Sequence, residues 1–399
     1  MALAGVAPAT AQVRPGIEVL LSDSIGLVAG KRVALLTNQT GVNRLGQRDI
    51  DLLRGTPGVR LMLILSPEHG LRGTEDRPGL PDDIDSATGI AIYSLYGGTR
   101  LSAIASLDSV DVVLADLQDI GARYYSYPPT VVVVMQEAAR RGKPIVVLDR
   151  PNPIGGVAVQ GDVGTPARPI ERVSDFLAIP MRHGMTIGEL ARLANDIYGI
   201  HARLTVVPAA GWRRAMYYDD TGLPWVRPSP NMPNLESTLH YPGTCLFEGT
   251  NLSVGRGTAF AFQVIGAPWL DTAAVLALVR SDERQAREGL NGVDLSGVMF
   301  TPRAPTDGKY DGVEVPGIRL RATDRRRYDA TRAAVLLLTA IAAAHRDSLR
   351  FDVARFDRLA EGDELRRAIL AGRPADVVWR GWDRALAQFR RSRAKYLLY

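Results

Sequence analysis

The clearest signal along the chain is a set of short, unbroken apolar runs in its first part. They are Val33–Leu36, Val59–Leu65, Ile90–Leu95, Val112–Ala115 and Ile145–Leu148. A strand with one face in water alternates apolar and polar residues, whereas continuous Val, Ile and Leu mark a strand covered on both faces. Between the fourth and fifth runs, Thr130–Arg141 changes from a valine run to good helix formers, and Gly142 stands where a helix would end. Strand and helix alternating in this way predict an α/β fold built on a parallel, Rossmann-like sheet.

The polar residues after each run are more informative than the runs. Val33–Leu36 leads into Thr37-Asn38-Gln39-Thr40, and Val59–Leu65 into Ser66-Pro67-Glu68-His69-Gly70. Val112–Ala115 leads into Asp116, Gln118, Asp119 and then Gly121-Ala122-Arg123-Tyr124-Tyr125, and Ile145–Leu148 into Asp149-Arg150-Pro151-Asn152-Pro153. Open α/β sheets bind ligands beyond the carboxyl ends of their strands. Turn-making accounts for Gly, Pro and Asn in such places, but explains Glu68-His69 and Arg123-Tyr124-Tyr125 poorly. Further on, Thr186 with Glu189 fits a capping box for a helix over Ile187–Tyr198, which places His183 just outside that helix.

A turn-dense stretch, Gly222-Leu223-Pro224-Trp225 followed by Pro228-Ser229-Pro230-Asn231-Met232-Pro233, marks a boundary. The expected organisation is an N-terminal segment 1–13, a Rossmann-like catalytic domain 14–228, and a smaller α+β C-terminal domain 229–399 that completes a cleft. In the latter, helical patterns cover Asp271–Val279 and Ala330–Ala344, Tyr310–Ala322 is strand-like, and the tail from Trp379 to Tyr399 is helical, with Tyr396 and Tyr399 as packing anchors. Two loops there, Leu246-Phe247-Glu248-Gly249-Thr250-Asn251 and Gly255-Arg256-Gly257-Thr258, carry candidate chemistry.

Composition narrows the classes. The 399 residues are 46% hydrophobic and 23% charged, with a formal net charge of +5. Lys and Arg are spread along the chain rather than gathered on one face, which argues against nucleic-acid binding; the mild positive balance favours an anionic substrate. The single cysteine, Cys245, excludes an internal disulfide and reads as buried packing. Ala9-Thr10-Ala11 near the start forms an A-x-A cleavage pattern, so the segment is expected to be a signal-peptide remnant or a disordered N-terminus, and the protein secreted or periplasmic. No apolar run reaches the length of a membrane span. P-loop, dinucleotide and G-x-S-x-G motifs are absent, and the five histidines are scattered, so no metal or cofactor is expected. A polar edge rich in carboxylates, amides and arginines suits sugar recognition and acid/base chemistry.

The segments LLTNQTGV, SPEHGLRG, DLQDIGARYYSY, VLDRPNPIGG, RHGMTIGEL, GWRRAMYYDDTGLPWVRPSPNMP, YPGTCLFEGTNLSVGRGT and RAKYLLY resemble those of the NamZ-type exo-β-N-acetylmuramidases. The likeness runs from about Gly16 to Tyr399. It implies an active site in a cleft between two domains and cofactor-free release of β-1,4-linked N-acetylmuramic acid (MurNAc) from the non-reducing ends of MurNAc–GlcNAc oligosaccharides of peptidoglycan. One stretch departs from the family pattern, Thr74 to Gly79, so no role is carried over to Glu75 or Asp76.

Glycoside hydrolysis uses two carboxyl groups, one of them protonated near neutrality. Glu68 is the expected acid, since it follows a buried strand, with His69 beside it as a hydrogen-bonding partner. Asp116, Asp119 and Glu248 are the candidates for the second carboxylate. Arg72, Arg123, Arg150 and Arg256 are candidates for pairing with the substrate's lactyl carboxylate. Asn38, Gln118, Asn152, His183, Asn231, Asn251 and Tyr124 complete the expected binding set. The rival readings are a non-catalytic muropeptide-binding protein, which would keep the arginines and amides without a working acid, and a cell-wall amidase or esterase, which the missing Ser, Cys or zinc constellation opposes.

Overall fold

The computed structural model describes residues 12–77, 79–97, 100–164 and 169–399; the Ala9–Ala11 pattern lies outside them. In the first half the strands are β1 (Arg32–Thr37), β2 (Arg60–Ser66), β3 (Asp83–Ile84), β4 (Ala91–Ser94), β5 (Val112–Asp116), β6 (Ile145–Leu148), β7 (Gln160–Val163), β8 (Pro180–Arg182) and β9 (Leu204–Val207). Seven of them form one sheet in the order β3-β4-β2-β1-β5-β6-β9, parallel except for the β3 edge, while β7 and β8 form a separate antiparallel pair.

The apolar runs lack alternation because each strand is buried on both faces. Val33 and Leu35 of β1, with Val112 and Leu114 of β5, pack under the helices Gly16–Asp23 and Asp49–Gly55. Their neighbours Ala34, Leu36, Val113 and Ala115 face the opposite layer, where the helices Tyr127–Arg140 and Ile187–Ile197 lie. The capping box forms: Thr186 accepts from the Glu189 amide and Glu189 accepts from the Thr186 amide. Chain order reverses between β1 and β5, where polar loops leave both strand ends on the same side.

The second half contains β10 (Val264–Gly266), β11 (Val293–Phe300) and β12 (Val315–Ala322), an antiparallel sheet in the order β10-β12-β11. It is packed by the helices Leu235–Thr244, Thr272–Ser281 and Ala330–Ala344. The strand expected over Tyr310–Ala322 begins only at Val315, because Tyr310 and Gly312 both take positive φ and the Val313 amide closes a turn onto the Tyr310 carbonyl. The tail is broken after Arg380 by a turn at Gly381, and its main helix is Asp383–Arg393. One apolar cluster runs from Leu36 of β1 through Leu239 and Leu337 to Tyr396, so the two halves share a core. The Tyr399 hydroxyl donates to buried Asp149 at 2.7 Å, and Tyr396 is buried as well.

Candidate active site

The loop after β2 is folded tightly on itself. The Gly70 amide bonds to the Pro67 carbonyl, Gly73 to Gly70, and Glu75 to His69. His69 sits at φ 70°, a left-handed conformation that a non-glycine residue adopts only when its surroundings hold it there. Here Nδ1 donates to the Glu75 carbonyl at 2.6 Å, which leaves the other ring nitrogen for the cavity. The same fold returns Asp76 to within 3.6 Å of His69 and leaves Glu68 half-buried beside it.

The loop after β5 supplies the facing wall. Gly121 takes φ 85°, and a Cβ there would lie 2.6 Å from the Asn152 side chain, so only glycine lets this loop pass. Ser126 then precedes the helix Tyr127–Arg140. Its hydroxyl does not cap that helix; it donates to Glu68 Oε2 at 2.5 Å. Tyr124 and Tyr125 turn inward and meet Tyr241 edge-on, with ring centroids 6.2 and 6.3 Å away, and Tyr241 meets Phe262 at 4.6 Å. This aromatic floor buries apolar area while offering ring faces and edges to a sugar.

The second half closes the site. The turn Cys245–Gly249 follows the helix Leu235–Thr244 and delivers Glu248. Gly249 abuts the helix Val353–Ala360 so closely that a Cβ would fall 2.6 Å from Phe356 Cα, and this approach sets Glu248 against Arg355. Arg256 Nε donates to Glu248 Oε1 at 2.6 Å, Arg355 Nη2 lies 3.3 Å from Glu248 Oε2, and Arg256 Nη1 reaches Asp76 Oδ2 at 3.4 Å. Asn231 Nδ2 donates to the same Asp76 oxygen at 2.7 Å. Burial works against the Glu248 charge, but Arg256 and Arg355 overcome it and hold the carboxyl below its ordinary range. Asp76 is likewise held low: hydrogen bonds from Thr306 and Asn231 and the Arg256 charge outweigh its partial burial. The Cys245 thiol is pushed up by burial and by Glu248, which keeps it protonated and unreactive.

These groups line a cavity of about 550 Å³ between the halves, together with Tyr96, Ser174, Phe176, Arg355 and Arg358. Of the residues expected from the sequence, it brings together Glu68, His69, Tyr124, Asn231, Glu248 and Arg256. The others do not line it. Asp116 is fully buried in an ion pair with Arg150, which also bonds the Val42 carbonyl. Arg123 is buried and donates to the carbonyls of Asp162, Ile179 and Leu359. Asp119 accepts from the Gly121 amide and lies 3.2 Å from His183 Nε2. Asn38 bonds Tyr127, Gln118 the Pro151 carbonyl, Asn152 the Met185 carbonyl, and Asn251 the Ser348 carbonyl. Arg72 is exposed and does not line the cavity. Each of these buried side chains fastens loops to one another.

Sequence reasoning missed Asp76, Tyr96, Ser126, Arg355 and Arg358. For the two arginines a signal exists: in Asp352–Ala360 the apolar Phe356, Leu359 and Ala360 mark a buried helix face, with an N-capping Asp352 and arginines three apart on the other side. Among the described residues no cluster of three or more metal-ligating side chains occurs.

Two family models match the chain: exo-beta-N-acetylmuramidase NamZ, N-terminal, over residues 33–236, and its C-terminal counterpart over 239–399. The peptidoglycan beta-N-acetylmuramidase NamZ of Bacillus subtilis (strain 168) is 38% identical over 395 residues, covering 97% of this chain and 92% of that protein. Crystal structures of two DUF1343 family proteins from Bacteroides fragilis are also similar. One has a TM-score of 0.85 at 32% identity, the other 0.75 at 30%, and each comparison covers 97% of this chain and 99% of the other.

Proposed function

The chain belongs to the exo-beta-N-acetylmuramidase NamZ family, and from that premise we propose that it is an exo-acting glycosidase releasing β-1,4-linked N-acetylmuramic acid from the non-reducing ends of peptidoglycan fragments. The observation that carries this reading is the meeting inside one cavity of Glu68, whose carboxyl is held by a hydroxyl and not by an arginine, with the arginine-paired carboxylates Asp76 and Glu248. Hydrolysis of a glycoside needs this asymmetry, one group able to give a proton and another already negative.

Glu68 protonates the leaving glycosidic oxygen, and the Ser126 hydroxyl fixes its carboxyl rotamer. Asp76 supplies the negative charge that faces the positive charge developing at the anomeric carbon. Glu248 has an arginine on each oxygen, so it holds Arg256 and through it Asp76. The tyrosine floor carries the pyranose ring, and His69 Nε2 meets a sugar hydroxyl.

The natural substrates are short MurNAc–GlcNAc oligosaccharides, and the site of action is outside the cytoplasmic membrane, a reading supported by the Ala9-Thr10-Ala11 pattern. Mass spectrometry of the mature N-terminus from the native host checks the location. For the activity, the test is a chromogenic β-MurNAc glycoside beside its β-GlcNAc analogue. Release from the first alone is expected; equal release from both, or none from either, overturns the proposal.

A further inference from the structure

Of the three arginines that line the cavity, two are paired with its carboxylates and one is not. Arg256 is shared between Glu248 and Asp76, and Arg355 leans on the second oxygen of Glu248. Arg358 is different. It lines the same cavity, yet among the described residues no ion pair satisfies it. Its side chain donates from Nη2 to the Ser174 carbonyl at 2.5 Å, and its guanidinium lies 5.0 Å from the centre of the Phe176 ring. A guanidinium carries five N–H donors in a planar fork; Arg358 is exposed, so the donors left over face solvent at the cavity and are open to an anion.

The protein fixes this group firmly. Arg355 and Arg358 are three residues apart on the helix Val353–Ala360, which puts them on one side, while Phe356, Leu359 and Ala360 bury the other. Asp352 caps the helix by accepting from the Arg355 amide at 3.1 Å. At the other end the fully buried Arg123 of the first half donates to the Leu359 carbonyl at 3.1 Å. Gly249 packs against the middle. The helix is therefore clamped at both ends and along its length, and the Phe176 ring holds the Arg358 head. Tyr96 lines the cavity together with Glu68 and Arg358, so the arginine head and the acid share one wall-to-wall space.

MurNAc differs from GlcNAc only by a lactyl ether at O3, which ends in a carboxylate. A planar anion of that kind matches an arginine fork. We propose that Arg358, assisted by Arg355, binds the lactyl carboxylate and sets the preference of the site for MurNAc over GlcNAc. This rests on the activity proposed above, and it moves the anion contact from the strand-end loops to a helix of the second half.

Three chromogenic β-glycosides test it: MurNAc, its lactyl methyl ester, and GlcNAc. Alongside them, calorimetry measures binding of free MurNAc and free GlcNAc. Arg358→Ala is expected to lower kcat/KM for the MurNAc glycoside at least about tenfold, chiefly through KM, and to remove most of its lead over the lactyl methyl ester. Arg358→Lys, which keeps the charge and loses the fork, should fall between. The calorimetric preference for MurNAc over GlcNAc should shrink in the same order. If Arg358→Ala keeps the parent's discrimination, or loses activity equally on the MurNAc glycoside and its ester, Arg358 does not read the carboxylate. A parent that binds MurNAc through Arg358 but cleaves nothing would overturn the enzymatic reading and keep this one. A parent that neither binds nor cleaves MurNAc removes both.

Discussion

Two arginine–carboxylate clusters sit close to the carboxyl ends of the central strands, and they do opposite work. In the first, Arg150 lies between Asp116 and Asp49, all three essentially without solvent contact. Burial and the neighbouring Asp116 charge push Asp49 well above its ordinary range, and the remaining guanidinium bond goes to a backbone carbonyl. In the second, Arg256 lies between Glu248 and Asp76, the carboxyls are held low, and the cluster opens on a cavity. The residue types are the same. What separates them is whether the next segment of chain closes over the cluster or leaves a face for a ligand. A sealed cluster fixes loops, and an open one is charged and available.

Breaking the sealed cluster should have the largest effect. Asp116→Ala strands the Arg150 charge in the interior and is expected to cost about 3–5 kcal/mol of stability, read by chemical denaturation, with turnover per folded molecule retained. A stable Asp116→Ala protein without turnover would erase the distinction between the clusters. Glu68→Gln should do the reverse: kcat falls about a hundredfold or more, while the unfolding free energy moves by less than about 1 kcal/mol. Full activity in that variant would remove Glu68 from the chemistry. Glu248→Gln loosens Arg256 and should lower kcat/KM about tenfold, with Arg256→Ala giving little further loss in the double variant, because the two act as one unit. Additive losses would show that they act separately.

The remaining effects appear as pH dependence. Glu248 and Asp76 have folded-state values below their ordinary 4.5 and 3.8. Their contribution to stability is therefore present above those values and is lost as pH falls through the folded ones. Asp149 runs the other way: burial, against hydrogen bonds from Thr186, Tyr399 and Gly188, raises it from 3.8 to about 7. The folded state then holds a proton that the unfolded chain has released, so stability falls as pH rises from about 4 to about 7 and is flat above. Thermal midpoints across this range should show that slope in the parent and lose it in Asp149→Asn.

The sheet is legible because a strand covered on both faces must be apolar at every position, and Val33–Leu36, Val112–Ala115 and Ile145–Leu148 are. Glu68 and His69 are legible because turn-making alone does not call for that pair. The loops give no local sign that Arg150 and Arg123 are covered while Arg256 is not, since the covering chain comes from distant parts of the sequence: Val42 above Arg150, and Leu359 above Arg123. Asp76 is silent in the sequence because its neighbourhood departs from the family pattern, and its role comes from Asn231 and Arg256, each more than a hundred residues away. Arg355 and Arg358 stand on the polar side of an amphipathic helix, a pattern that marks a solvated face as readily as a binding one.

The hydrogen bond from Tyr399 to Asp149 bears on how the molecule is made. Synthesis proceeds from the N-terminus, and domains commonly fold as they emerge. Here β6 and the loop that carries Asp149 are complete 250 residues before their last partner exists. Until the segment with Tyr396 and Tyr399 has been made, Asp149 lacks one of its three donors and the shared core lacks Tyr396. The nascent chain must therefore wait with an unfinished edge, and Tyr396 and Tyr399 act as the latch that ends that wait.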